Sequence, residues 1–89
     1  MRIEKVIKIK NPQGLHARPA ALLVQIANKY GVSLKIKKGK TVVDGKSIMG
    51  ILMLEAGEGS QVHVVVEGES AEEALREIEE LLENAEPVE

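Results

Sequence analysis

Apolar and polar positions alternate from Arg2 to Lys10. Ile3, Ile7 and Ile9 share one face with Lys5, while Val6 falls among Arg2, Glu4, Lys8 and Lys10 on the other. This is the pattern of a half-buried strand with one imperfect position on each face. Asn11-Pro12-Gln13-Gly14 is turn chemistry and ends it. From Pro19 to about Tyr30 the period changes: Leu23, Ile26, Ala27 and Tyr30 recur at helical spacing, and Gly31 is a natural stop. Val32, Leu34 and Ile36 then alternate with Ser33, Lys35 and Lys37, and Lys38-Gly39-Lys40 turns this strand into a short partner, Thr41-Val42-Val43. Asp44-Gly45 breaks the hairpin. Ser47 to Leu54 predicts a short, mostly apolar helix, closed by Gly57-Glu58-Gly59. Gln61 to Val66 is a strand with Val62, Val64 and Val66 on one face. Ser70 and Glu73 have the spacing of a capping box, and the helix they open carries Ala71, Ala74, Leu75, Ile78, Leu81, Leu82 and Ala85 along one stripe. Pro87 ends it.

The order is βαββαβα. Strands with one apolar face and helices with one apolar stripe bury each other best as two layers, so the pattern predicts an α+β fold. Lys35, Lys37 and His63 fall on the sheet face away from the helices. Eighty-nine residues suit one domain spanning 1–89, with no internal repeat or linker.

Composition narrows the function more than the fold. With no cysteine, disulfides, thiolate metal sites and thiol catalysis are excluded. The two histidines share no local spacing, so no metal site is expected. The first residues carry charges where a signal peptide needs its apolar region, and no apolar run approaches membrane-spanning length. A soluble, cytoplasmic protein without membrane insertion is the expectation. The net charge of −2 hides a segregation: residues 1–46 hold eleven Lys/Arg and two acids, net +9, and residues 47–89 hold one Arg and twelve acids, net −11. A basic half invites a nucleic-acid reading, but one Tyr and no Phe or Trp leave nothing to stack bases on. Solvated faces of a basic sheet and an acidic helix account for the segregation.

The candidate chemistry lies in Gly14-Leu15-His16-Ala17-Arg18-Pro19-Ala20. Proline suits the first turn of a helix, so His16 is expected at or just before a helix N-terminus, where backbone N–H groups and the dipole favour an anion. A neutral imidazole there is a nucleophile, and Arg18 adds a fixed charge with paired donors for phosphoryl oxygens. His63, in a valine-rich strand with no arginine, glycine or helix start close in sequence, reads as a surface histidine. Ser47 reads as a helix N-cap. Met49 and Met53 stand four apart on a helix too apolar for a single buried stripe, and with Ile48 they form a candidate docking patch, since methionine adapts its shape.

The heptapeptide resembles the active-site signature of the histidine-containing phosphocarrier (HPr) family of the bacterial phosphoenolpyruvate-dependent sugar phosphotransferase system. Gly45-Lys46-Ser47-Ile48-Met49-Gly50 is similar to that family's regulatory-serine motif. The resemblance implies an open-faced β-sandwich, a four-stranded antiparallel sheet with three helices on one face. It also implies a monomeric phosphoryl relay rather than an enzyme, without cofactor. His16 would accept the phosphoryl group on Nδ1, Arg18 would stand beside it, and the backbone of Ala17 and Arg18 would hold the anion. Enzyme I would be the donor and sugar-specific enzyme IIA domains the acceptors. Ser47 would be phosphorylated by a serine kinase/phosphorylase, with a catabolite-control transcription factor as a further partner. The family usually has a glycine near the end of the short helix, where this chain has Glu55, a change expected to bear on docking rather than on carrier chemistry. A competing class is a regulatory interaction protein in which phosphorylated Ser47 recruits a transcription factor or enzyme while the carrier role is idle; some relatives act so after losing the histidine, which this chain keeps. A ferredoxin-like ligand-binding domain shares the element order but gives no reason for the segment from Gly14 to Ala20.

Overall fold

The computed structural model describes residues 1–84. Its elements are β1 (Arg2–Lys8), α1 (Ala17–Tyr30), β2 (Ser33–Lys38), β3 (Thr41–Asp44), α2 (Ile48–Met53), β4 (Gln61–Glu67) and α3 (Ala71–Glu83). The strands form one antiparallel sheet in the order β1-β4-β2-β3. Three helices cover one face, which makes the fold the open-faced α+β sandwich expected from the sequence.

The register shows why the alternation works. Ile3 pairs with Val66, which pairs with Leu34; Val64 pairs with Ile36, which pairs with Val43; Ile7 pairs with Val62. These rows lie beneath the helices, where Leu23, Ala27, Ile51, Ile78 and Leu82 close the core. The two imperfect positions of β1 have separate explanations. Lys5 points to the helix side but sits on an edge strand, where it stays exposed and its Nζ bonds the Glu79 carboxylate of α3. That hydrogen bond, helped by the charges of Glu79 and Glu83, raises the Lys5 pKa above its usual value. Val6 lies on the uncovered face opposite His63 and is 56% exposed.

The helix termini differ in how they are closed. Helix α1 begins at Ala17, two residues before the proline where the sequence pattern had placed its start. Pro19 is still inside the first turn, where an N–H would lack an intrahelical acceptor. The helix ends at Gly31 in left-handed backbone, as expected. Helix α2 is capped by Ser47, whose Oγ accepts from the Gly50 N–H at 3.0 Å. The capping box at α3 does not form: Ser70 precedes the helix, but its backbone (φ −97, ψ 29) is not extended and its side chain makes no capping bond. Glu72 and Glu73 instead place negative charge at the first turn. Along α3, Ala71, Ala74, Leu75, Ile78 and Leu82 are buried and Leu81 half-buried. Ala85 and Pro87, assigned above to the stripe and the stop, lie outside the described residues.

Helices α1 and α3 are joined at their polar rims. The Tyr30 hydroxyl donates to the Glu77 carboxylate, and Lys29 Nζ reaches the same oxygen at 3.1 Å while standing 5.0 Å from the Tyr30 ring centre. The tyrosine's hydrogen bond, then the lysine's, hold the Glu77 carboxyl below its usual pKa. In return the Tyr30 and Lys29 pKa values are raised, chiefly by their bonds to Glu77.

Candidate functional site

Asn11 builds the turn that delivers the chain to α1. It is 3% exposed; its Oδ1 accepts from the Gln13 N–H at 3.0 Å, and its carbonyl accepts from the Gly14 N–H at 2.9 Å. Its Nδ2 is buried without a hydrogen-bond partner among the described residues. Gly14 follows in left-handed backbone (φ 68), and a Cβ there would stand 2.5 Å from the Ala56 carbonyl oxygen. The next amide, that of Leu15, donates to this oxygen at 2.8 Å, and the Leu15 side chain is buried in the core. The loop is thus pressed against the chain leaving α2 and can be so only because residue 14 has no side chain.

His16 comes next, as the N-cap of α1. Its backbone is extended (φ −97, ψ −169), its carbonyl accepts the first helical bond from the Ala20 N–H at 3.1 Å, and its side chain makes no capping bond. The imidazole is neither in the core nor committed to the helix: His16 is half-buried, and Ala17 and Arg18 after it are exposed. No acidic side chain occupies the first turn of α1. A partly exposed ring therefore stands at the positive end of a fourteen-residue helix, with the Arg18 guanidinium two residues along and the backbone of Ala17 and Arg18 at the helix start. This arrangement suits an anion held at the imidazole.

Helix α2 belongs to the same end of the molecule, because it packs against α1 and because Leu15 is bonded to Ala56 just beyond it. Ser47 opens the helix, half-buried, with its Oγ on the Gly50 amide. Ile51 is buried beneath the helix, whereas Ile48 is 42%, Met49 73% and Met53 72% exposed. The candidate docking residues thus form an uncovered apolar surface. Glu55 has φ 52 and is the one non-glycine residue with positive φ among those described.

His63 is far from this constellation in character. On the uncovered face, its Nε2 lies 2.8 Å from Glu4 Oε1, and Glu4 also pairs with Arg2 at 2.8 Å. Among the described residues, no group of three or more His, Cys, Asp or Glu side chains could hold a metal ion, and no helix is long and apolar enough to cross a membrane. Sequence reasoning missed two contributors to the site: Asn11 and Ala56. Asn11 was read only as turn chemistry, although Asn-Pro-Gln-Gly is the signal for its side chain folding back on Gln13. Ala56 acts through a contact distant in sequence, for which no local pattern exists.

Comparison with known proteins fits this geometry. A family profile described as the PTS HPr component phosphorylation site matches residues 3–84. The phosphocarrier protein HPr of Pseudomonas aeruginosa is 44% identical over 79 residues, covering 88% of either chain. That of Treponema pallidum is 40% identical over 82 residues, covering 92% of this chain and 93% of its own. The crystal structure of a phosphocarrier protein HPr from Bacillus anthracis is similar with a TM-score of 0.84 at 41% identity, over 91% of this chain and 96% of that one.

Proposed function

Because the chain belongs to the family of HPr phosphocarrier proteins, we propose that it relays phosphoryl groups through His16 as a single cytoplasmic domain. The carrying observation is the half-buried imidazole at the N-cap of α1, whose ring is not used to cap its own helix. In the forward step a ring nitrogen of neutral His16 attacks phosphorus on enzyme I. An N–P bond forms, the donor's bond to phosphorus breaks, and its electron pair leaves with the donor. The second step reverses this toward an enzyme IIA domain, so no water is consumed and His16 returns unchanged. Phosphoryl transfer asks mostly for positioning and electrostatic support. The helix N-terminus, the Ala17 and Arg18 amides and the Arg18 guanidinium supply that support, and they would stabilise the dianionic group as it arrives. Ile48, Met49 and Met53 would form the surface on which either partner docks, their exposure fitting brief, repeated contact.

Ser47 carries a second, compatible role as the substrate of a serine kinase/phosphorylase, with the phosphorylated form recognised by a catabolite-control transcription factor. Its half-buried place at the start of α2 favours this, since a phosphate there adds charge beside the docking surface without opposing the helix.

Incubation with phosphoenolpyruvate and enzyme I tests the relay. Wild type is expected to acquire one acid-labile phosphate and His16→Ala none. A His16→Ala variant that labels as wild type does would overturn the proposal.

A further inference from the structure

The acceptor loop rests on a strap of backbone, residues 54–57, and that strap is held in an unusual way. Its second residue, Glu55, is in left-handed backbone that a side chain with a Cβ disfavours. Its third, Ala56, offers the carbonyl that receives the Leu15 amide at 2.8 Å and that bars a Cβ at Gly14. Just before that carbonyl lie those of Leu54 and Glu55, at the end of α2, where a helix runs out of N–H donors of its own. Lys38 meets both. It is half-buried at the end of β2, sixteen residues earlier than Leu54, and its Nζ stands 3.3 Å from the Leu54 oxygen and 3.2 Å from the Glu55 oxygen. A cation at a helix C-terminus is favourably placed.

We propose that Lys38 is a positioning residue for the phosphoryl relay. Its ammonium pins the Leu54 and Glu55 carbonyls, fixes the left-handed bend of the strap, and thereby sets the Ala56 oxygen against Leu15, the residue bonded directly to His16. Lys38 touches no reacting atom. It acts through three consecutive peptide units, and it links the β2–β3 hairpin to the start of α1. The proposal rests on the relay reading of His16 given above.

The geometry states what should substitute for it. Lys38→Met keeps the apolar stem and removes the donors; Lys38→Arg keeps both. Glu55→Gly removes the cost of the left-handed bend, so the strap needs its pin less.

Phosphorylation of His16 is measured with two donors: enzyme I charged by phosphoenolpyruvate, which must dock, and phosphoramidate, a small donor that does not. In the second case His16 nitrogen displaces ammonia from phosphorus. All proteins carry His63→Ala, so that the phosphate reports on His16 alone. Lys38→Met is expected to lower kcat with enzyme I about tenfold, by misplacing the nucleophile, with KM unchanged and a matching fall with phosphoramidate. Lys38→Arg should restore wild-type rates, and Glu55→Gly should recover most of the loss in the Lys38→Met background. Should Lys38→Met melt below the assay temperature, all variants are compared at a lower temperature at which Lys38→Met is folded. A folded Lys38→Met protein within twofold of its parent with both donors would overturn the proposal. So would a defect confined to KM for enzyme I, which would make Lys38 a docking residue, or a failure of arginine to rescue. If the parent protein takes phosphate from neither donor, the relay reading itself fails, an outcome distinct from a parent and a Lys38→Met variant that label equally.

Discussion

Gly14 and Glu55 both hold left-handed backbone at the contact between the acceptor loop and the chain after α2, and they meet that demand differently. Gly14 has no Cβ to strain or to collide with Ala56. Gly14→Ala is therefore expected to cost at least the roughly 1–2 kcal/mol of forcing an L-residue into this region, with a further loss from the contact at 2.5 Å. Denaturant unfolding measures the first effect, and slower His16 phosphorylation would report the displaced loop. Glu55 accepts the strain instead. The resemblance leads us to expect a glycine here, and a φ of 52 is backbone that a glycine adopts more readily than a residue with a Cβ. That angle follows from how the strap meets Gly14 and Leu15, forty residues earlier in the chain, so no reading of the local sequence could have supplied it.

At the scale of elements, the contrast between Ser47 and Ser70 is instructive. Each stands immediately before a helix, and only Ser47 caps one. Ser47 enters α2 with extended backbone, which aims Oγ at the Gly50 amide. Ser70 follows Gly68, which sits at φ 146 with Val32 so near that a Cβ would meet its Cγ1 at 2.9 Å. The chain leaves β4 along a route fixed by that packing and reaches α3 in a backbone shape that does not serve capping. Ser47→Ala is accordingly expected to lower stability by about 1 kcal/mol, read from the shift in denaturation midpoint. The same variant should lose labelling by ATP and the serine kinase. Strand existence was legible throughout because a period of two survives even the lysine at position 5. What stayed hidden were the partners that excuse the irregularities: Glu79 for Lys5, and the α2 carbonyls for Lys38. The histidine's place at the helix start was legible because Pro19 and the apolar spacing after it are local signals.

Over the whole molecule, charge segregation becomes a link between layers as well as two solvated faces. Acidic α3 is tied to α1 by Glu77 and to β1 by Glu79. The folded state lowers the Glu77 pKa from its usual 4.5, so this carboxylate's contribution is present above that value and fades as pH falls through the lower folded one. Tyr30 and Lys29 are raised from 10.0 and 10.5, so their contribution holds below those values and is lost as alkali passes the raised ones. Tyr30→Phe removes the largest cause of the Glu77 shift. Its melting temperature should fall below wild type at neutral pH, and the gap should narrow in acid below 4.5. A constant gap across that range would show that the tyrosine acts by packing alone.

The strand order is the part of the architecture that local periodicity left open, because pairing of β1 with β4 is a matter of distant partners. It has a consequence for how the molecule is born. Of the four strands the ribosome makes β1 before the others, yet among the described residues its one neighbour in the sheet is β4, in a register that runs from Arg2 opposite Glu67 to Lys8 opposite Gln61. Until the growing polypeptide reaches residue 67, β1 has no completed edge to join. The hairpin of β2 and β3 can close early, but β1 must wait while α1, β2, β3 and α2 are made, its isoleucines unsheltered, for the mate that follows them.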